Sequence, residues 1–142
     1  MKIDKLSDNG PRGDRPAVMK LLIVDDSNVI RKAVRKYTTK HGLEIVGAAG
    51  DGQQALDMFH EHRPEIVTLD ITMPEIDGMT CLDAILQEAP ETRVIIVTAL
   101  SDKSTALQAL EKGALDYIPK PIQEDRLDRA LQKAMESQGD GR

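Results

Sequence analysis

The 142-residue sequence is 40% hydrophobic and 30% charged, with a formal net charge of −5 and a single cysteine, Cys81. A chain of this length buries enough apolar surface to fold as one domain without disulfides or a structural metal. The acidic balance disfavours nonspecific binding to nucleic acid, and no apolar run is long enough to cross a bilayer. We therefore expect a reduced, cytoplasmic protein that neither binds nucleic acid nor inserts into a membrane.

The two ends of the chain differ in composition from its middle. Residues 1–18 are rich in Asp, Lys, Arg, Gly and Pro and lack the apolar core of a signal peptide. We predict a flexible leader at 1–18, one domain at 19–137 and a disordered tail at 138–142. The sequence leaves open whether Met1 or Met19 is the native start.

Five short apolar runs alternate with five amphipathic stretches, an order typical of parallel strands joined by helices. The predicted strands lie at residues 21–24, 44–48, 66–69, 94–97 and 115–118. A helical stripe follows each strand, the first beginning at Asp26 or Ser27 and the last ending near Ser137. Right-handed crossovers then favour an α/β fold, a five-stranded parallel, doubly wound, flavodoxin-like (βα)5 sandwich with strand order 2-1-3-4-5.

Four of these strands end on polar residues, which the topology brings to one edge of the sheet. The first ends on Asp25 and Asp26, the third on Asp70, the fourth on Thr98, and the fifth leads to Lys120. Three carboxylates held close together raise one another's pKa unless a cation compensates their charge. Oxygen ligands without His or Cys suit a hard cation, so we predict a Mg²⁺ site.

The same residues supply what a phosphoryl transfer needs. With the charge compensated, Asp70 can act as a nucleophile and form an aspartyl phosphate, while Asp25 and Asp26 serve the metal. Lys120 provides a cation and Thr98 a hydroxyl for the phosphoryl oxygens. Each residue alone also has an ordinary structural explanation, because paired Asp residues cap helices, Thr favours strands and Lys is usually solvated. Their combination on consecutive strands favours the functional interpretation.

The remaining reactive side chains have ordinary explanations. His41, His60 and His62 lie without acidic partners at ligand spacing, which predicts surface positions. Cys81 lies inside the third helix and fits a small buried thiol. Tyr117 in the last strand is ambiguous, because packing alone would explain a half-buried tyrosine at that position.

Four segments of the sequence resemble one known family. LLIVDDS at 21–27, TLDITMPEIDGM at 68–79, VTA at 97–99 and DYIPKP at 116–121 are similar to the motifs of response-regulator receiver domains, the stand-alone CheY-like type of two-component signalling. The resemblance covers nearly all of the predicted domain, about residues 19–137.

The resemblance implies a role for each matching residue at the first and third strands. Asp70 corresponds to the phospho-acceptor, and Asp25 and Asp26 to the acidic pocket. Asp25, Asp26, Asp70 and the backbone carbonyl of Thr72 would then hold Mg²⁺.

Further roles are implied for the fourth and fifth strands. Thr98 and Lys120 correspond to the phosphate ligands, and Thr98 with Tyr117 to the switch that reports the phosphate to the surface. The Lys120-Pro121 peptide corresponds to a cis bond typical of the family. Pro119 departs from the family pattern, and it is tolerable if its strand lies at the sheet edge.

The resemblance implies a single-domain response regulator. It would accept a phosphoryl group from a histidine kinase or phosphotransfer protein and switch binding to a separate output protein through the face of helix 4, strand 5 and helix 5, in chemotaxis or motility-type signalling. Such a protein is not an enzyme beyond slow self-phosphorylation and self-dephosphorylation. A phosphate sink or relay receiver remains an alternative. A haloacid-dehalogenase-like phosphatase is a weaker one, because its motif has a second acid where this sequence has Thr72.

Two further expectations concern the kinase and the phosphate lifetime. The kinase is expected to dock near the first helix, whose basic face could equally be merely solvated; that face carries Arg31, Lys32, Arg35 and Lys36. Thr72 and Leu100 flank the approach of water in the resembled family, and neither can act as a base. We therefore expect a moderately long-lived phosphorylated state.

Overall fold

A computed structural model of the chain describes residues 18–71, 77–99 and 102–136. The predictions for residues 1–17 of the leader, for Thr72 and Leu100, and for the tail at 138–142 lie outside these ranges.

Strands and helices alternate along the described residues. The strands are β1 at Lys20–Val24, β2 at Glu44–Ala49, β3 at Ile66–Asp70, β4 at Arg93–Ala99 and β5 at Asp116–Lys120. The helices are α1 at Asn28–Thr39, α2 at Gly52–His62, α3 at Gly78–Glu88, α4 at Lys103–Lys112 and α5 at Glu124–Glu136. Among the described residues, no helix has both the length and the apolar character needed to cross a membrane.

All five strands are parallel and lie in the order β2-β1-β3-β4-β5, which confirms the predicted flavodoxin-like topology. The register pairs Val24 with Leu69, and Asp70 with Val97. The carboxyl ends of the central strands therefore finish at nearly the same level. Residues that end these strands share one edge of the sheet, where ligands bind in folds of this kind.

The sheet is buried on both faces, which explains why its strands read as continuous apolar runs. On one face, α1 and α5 pack over a cluster that includes Leu21, Ile23, Ile66, Ile95 and Ile118. On the other face, α2, α3 and α4 pack over a cluster that includes Leu22, Val24, Val67, Leu69 and Ile96. Cys81 belongs to this second cluster and is fully buried, and burial raises the pKa of its thiol to about 11. This agrees with the predicted packing role.

Four of the five helices begin at a side chain that caps them. Ser27, Asp51, Asp77 and Asp102 each accept a hydrogen bond from the backbone N–H three residues later, at 2.8 to 3.4 Å. Such caps satisfy N–H groups that the helix itself cannot. Ser27, rather than Asp26, therefore caps α1, which leaves the side chain of Asp26 available to the sheet edge.

His60 is exposed, as predicted, and His41 is partly buried, but both have acidic partners that the sequence did not indicate. His41 Nε2 lies 2.9 Å from Asp128 on α5, and His60 Nε2 lies 2.7 Å from Glu88 on α3. Both do have acidic partners, which come from helices distant in sequence. These pairs connect the end of α1 to α5 and connect α2 to α3.

Strand β5 forms an edge of the sheet, and the outward backbone groups of Tyr117 are occupied. The Tyr117 N–H donates to the Asp116 carboxylate at 2.8 Å, and the Tyr117 carbonyl accepts from Arg126 on α5. Pro119, two residues later, has no N–H to donate. Pro119 is therefore accommodated as expected for an edge strand. The Lys120-Pro121 bond is cis, as the resemblance implied.

Candidate functional site

Asp25 is fixed directly after β1 by three contacts. Its N–H donates to the Ala49 carbonyl at 3.0 Å, and its Oδ1 accepts the Ser27 N–H at 2.8 Å. Its side chain is only 2% exposed. Arg31 Nη1 donates to the Asp25 carbonyl at 2.7 Å. The carboxylate is thus held at the sheet edge, whereas the neighbouring Asp26 is exposed.

Asp70 ends β3 beside Asp25, and Lys120 bridges the two. The Lys120 Nζ lies 3.3 Å from Oδ2 of both Asp25 and Asp70. Asp70 is 1% exposed, whereas Lys120 remains 27% exposed and can be reached from solvent. The structure therefore brings together the nucleophile and the ammonium predicted from two separate strands.

Burial and charge act on these groups in opposite directions. Burial, reinforced by the nearby Asp70 charge, raises the pKa of Asp25 above its ordinary value. Burial on its own lowers the pKa of Lys120, but the attraction of Asp25 and Asp70 outweighs it and leaves that pKa raised. Lys120 therefore keeps its charge at neutral pH. One ammonium against three carboxylates leaves the site negative.

The three carboxylates fit a hard divalent cation. Oxygen atoms of Asp25, Asp26 and Asp70 lie within 4.8 Å of one another. Asp25 Oδ2 is buried with no hydrogen-bond partner among the described residues, although Lys120 Nζ lies 3.3 Å away. An all-oxygen, negatively charged set with one exposed member suits Mg²⁺, which retains several waters. The carbonyl of Thr72, the fourth predicted ligand, lies outside the described residues.

Thr98 is buried near the end of β4, with its hydroxyl unused. It is 1% exposed, and its Oγ1 has no hydrogen-bond partner within the described part of the chain. Such a group costs about 1–3 kcal/mol when left unsatisfied. This hydroxyl can therefore gain by meeting an anion brought to the sheet edge.

Tyr117 lies on β5, close to Thr98 in the register. It pairs with Ile96, and Thr98 is two residues further along β4 on the same face of the sheet. Tyr117 is partly buried against the apolar cluster beneath α3 and α4. The predicted switch residues are therefore neighbours on one face.

Comparison with known proteins identifies the family of the chain. A family model for the response regulator receiver domain matches residues 21–132. The chain belongs to the receiver-domain family. Receiver proteins of this kind act in two-component signal transduction and are not enzymes in the usual sense.

Curated relatives and solved structures match this receiver domain over most of their length. The chemotaxis protein CheY of Bacillus subtilis is 40% identical over 116 residues, which are 82% of this chain and 97% of that protein. CheY of Thermotoga maritima is 37% identical over 114 residues, 80% of this chain and 95% of the relative. A solved CheX-CheY-BeF3-Mg²⁺ complex from Borrelia burgdorferi matches with a TM-score of 0.79 and 35% identity, over 84% of this chain and 90% of that chain.

Gly78 is a residue of this receiver domain to which the sequence analysis gave no role. A Cβ placed there would lie 2.4 Å from both the Asp70 carbonyl oxygen and the Ile71 Cα. The Gly78 N–H also donates to the Ile71 carbonyl at 3.2 Å. The start of α3 therefore touches the backbone that carries the Asp70 carboxylate. In the sequence, the Asp77-Gly78 pair before the third helix is the feature that could have indicated this close approach.

Arg31, one of the residues predicted to form the basic face of α1, also contacts the turn beside the acidic site. In addition to its bond to the Asp25 carbonyl, its Nη1 lies 3.2 Å from where a Cβ on Gly50 would be. Arg31 thus connects the turn after β1 to the turn after β2. It therefore supports the turn that carries Asp25.

Proposed function

We propose that the protein is a response regulator that carries its signal as a phosphoryl group on Asp70. The observation that carries this proposal is the buried Asp70 carboxylate, with the Lys120 ammonium 3.3 Å from its Oδ2 and two further carboxylates beside it. In the proposed step, an Asp70 oxygen attacks the phosphorus of a phosphohistidine. The P–N bond breaks, its electron pair stays on the imidazole, which takes up a proton, and an acyl phosphate remains.

The chain's own residues stabilise the transferred group. Lys120 would move from its shared position between two carboxylates toward a phosphoryl oxygen, and Thr98 would donate its unused hydroxyl to another. Asp25, Asp26, Asp70 and the Thr72 carbonyl would hold Mg²⁺, which when bound offsets the charge of the phosphoryl oxygens. Small phosphodonors would phosphorylate the protein slowly by the same route.

The metal site makes a testable prediction. Titrating Mg²⁺ into the millimolar range should raise the melting temperature, with a stabilisation of about 2.7 kcal/mol at a hundredfold excess over the dissociation constant. Asp26→Ala should remove most of this gain, because an exposed ligand is lost without disturbing the fold. Asp57→Ala is the matched control, since Asp57 is exposed on α2 and its carboxylate accepts a hydrogen bond from Gln53. An equal Mg²⁺ response in all three proteins would exclude Asp26 as a ligand.

The output we propose is a change in protein binding, in chemotaxis or motility-type signalling, as the CheY relatives suggest. Phosphorylation adds nearly two negative charges at the sheet edge. The Thr98 side chain would turn toward the phosphate, and the Tyr117 ring would rotate into the space that Thr98 leaves. This rotation would alter the face formed by α4, β5 and α5. A separate output protein would read that face. A phosphate sink or relay would share the chemistry but show no partner whose affinity depends on phosphorylation.

The incoming phosphohistidine is proposed to approach over the start of α1. Val29 is 74% exposed there, one turn from the acid pair, and Lys32 and Arg35 are exposed further along the same helix. An apolar contact surrounded by basic residues suits docking with electrostatic steering. The donor is proposed to be a histidine kinase or a phosphotransfer protein.

The docking surface is tested by charge reversal. Lys32→Glu combined with Arg35→Glu should slow phosphoryl transfer from a cognate kinase about tenfold while leaving transfer from acetyl phosphate unchanged. Arg31 is excluded from this test because it supports the Asp25 turn. The control makes the same charge change on the other face of the sheet, with Lys103→Glu and Lys112→Glu on α4. Equal losses with both phosphodonors would indicate damage to the site instead of lost docking.

A further inference from the structure

Two charged side chains enclose the peptide group of Tyr117. The Asp116 carboxylate accepts a hydrogen bond from the Tyr117 N–H at 2.8 Å, and Arg126 donates a hydrogen bond to the Tyr117 carbonyl. The two side chains also pair with each other: Arg126 Nη1 and Nη2 lie 3.2 and 3.0 Å from the two carboxylate oxygens of Asp116. The result is a closed ring of hydrogen bonds around one backbone position, which we call the Asp116–Arg126 clamp.

The clamp also reaches the side chain of Tyr117. The guanidinium carbon of Arg126 lies 5.9 Å from the centre of the Tyr117 ring, within the range of a cation–π contact. A planar guanidinium that is already fixed by a bidentate carboxylate loses little further freedom in this contact. Arg126 therefore binds both the backbone and the ring of the residue proposed as the switch.

The two members of the clamp are charged and only partly exposed. Burial raises the pKa of Asp116, but the hydrogen bonds from Arg126 and from the Tyr117 N–H outweigh it and lower the pKa overall. The side chains of Asp116 and Arg126 are 18% and 27% exposed. Ion pairs of this bidentate, half-buried kind hold their geometry better than surface pairs.

We propose that the Asp116–Arg126 clamp positions Tyr117, holding its ring in the half-exposed orientation when Asp70 is unphosphorylated. This inference rests on the proposed function above. An inward rotation of the ring toward Thr98 takes it away from the guanidinium, so the clamp opposes that rotation. Loss of the ring contact should raise the population of the inward orientation about two- to fivefold in the unphosphorylated protein.

The experiment uses fluorine NMR of the full chain labelled with 3-fluorotyrosine. Only Tyr37 and Tyr117 carry the label, and Tyr37→Phe assigns the two resonances. Beryllofluoride with Mg²⁺ serves as the activating probe, and its own bound fluorine resonances report occupancy at Asp70. Arg126→Gln is compared with Arg129→Gln, the next arginine of α5, whose side chain is 67% exposed and pairs with Asp125 at 3.9 Å. Melting temperatures confirm that each variant is folded.

The proposal expects the Tyr117 resonance of unactivated Arg126→Gln to shift toward its activated position, with Arg129→Gln unchanged. Asp116→Asn should give the same shift, and Arg126→Lys a smaller one, because lysine keeps the charge but not the bidentate pair. Two results would overturn the clamp. In the first, the Tyr117 resonance stays at the wild-type position in Arg126→Gln and Asp116→Asn. In the second, it shifts equally in Arg129→Gln. Absence of bound beryllofluoride resonances in the wild type would instead overturn the site at Asp70, and the clamp's role with it.

Discussion

Asp70→Asn should abolish phosphoryl uptake from acetyl phosphate and from a cognate kinase. An amide oxygen is a far weaker nucleophile than a carboxylate and cannot form the acyl phosphate. The substitution changes neither size nor shape, and Lys120 keeps Asp25 as a partner at 3.3 Å, so the fold should survive. Intact-protein mass spectrometry after incubation with acetyl phosphate and Mg²⁺ should show one added phosphoryl group in the wild type and none in the variant.

The control for this experiment is the same chemical change far from the sheet edge. Asp57→Asn on α2 should take up phosphate like the wild type, because its side chain is exposed and bonds to Gln53. Unreduced labelling of Asp70→Asn would place the acceptor on another residue. Equal loss in Asp57→Asn would show that uptake reports on folding instead of on one nucleophile.

Gly78→Ala should be the most destabilising methyl addition at any described glycine. The added Cβ would lie 2.4 Å from the Asp70 carbonyl oxygen and from the Ile71 Cα, and backbone atoms cannot turn away as a side chain can. We expect a loss of at least about 2 kcal/mol in the free energy of unfolding, measured by urea denaturation. Phosphoryl uptake should fall as well, because the turn that carries Asp70 must shift.

Gly47→Ala provides the matched comparison. Its added Cβ would meet Met58 Sδ at 2.8 Å, the flexible end of a methionine that can adopt another rotamer. This variant should lose less than about 1 kcal/mol and take up phosphate normally. Similar small losses in both variants would mean that α3 can move away from β3 without cost.

The fold was predictable because its signals are local. Four of the five strands end on or lead to polar residues, and four of the five helices begin at a capping side chain such as Ser27. The meeting of Asp25, Asp70 and Lys120 followed from topology, since parallel strands joined by helices place their carboxyl ends at one edge. The assigned roles of these residues, of Asp26 and of the Thr72 carbonyl stay predictions until the variants are measured.

The sequence could not reveal contacts made between distant segments. Arg31 appears on a basic helical face in the sequence, but its bond to the Asp25 carbonyl depends on the angle between α1 and the turn before it. Arg126 is separated by ten residues from Asp116, and no periodicity indicates that they pair. Gly78 matters only because α3 approaches β3 closely. The lifetime expectation for Thr72 and Leu100 remains a prediction.

The bonded Tyr117 backbone on β5 has a consequence for how a partner can bind at this edge. An edge strand with free N–H and C=O groups is a template on which another molecule can add a strand, which leads to aggregation. On β5, the Tyr117 groups are bonded to Asp116 and Arg126, and Pro119 offers no donor. A second chain therefore finds neither free Tyr117 backbone groups nor a Pro119 N–H to pair with at this edge. Whatever binds here must therefore recognise side chains rather than extend the sheet.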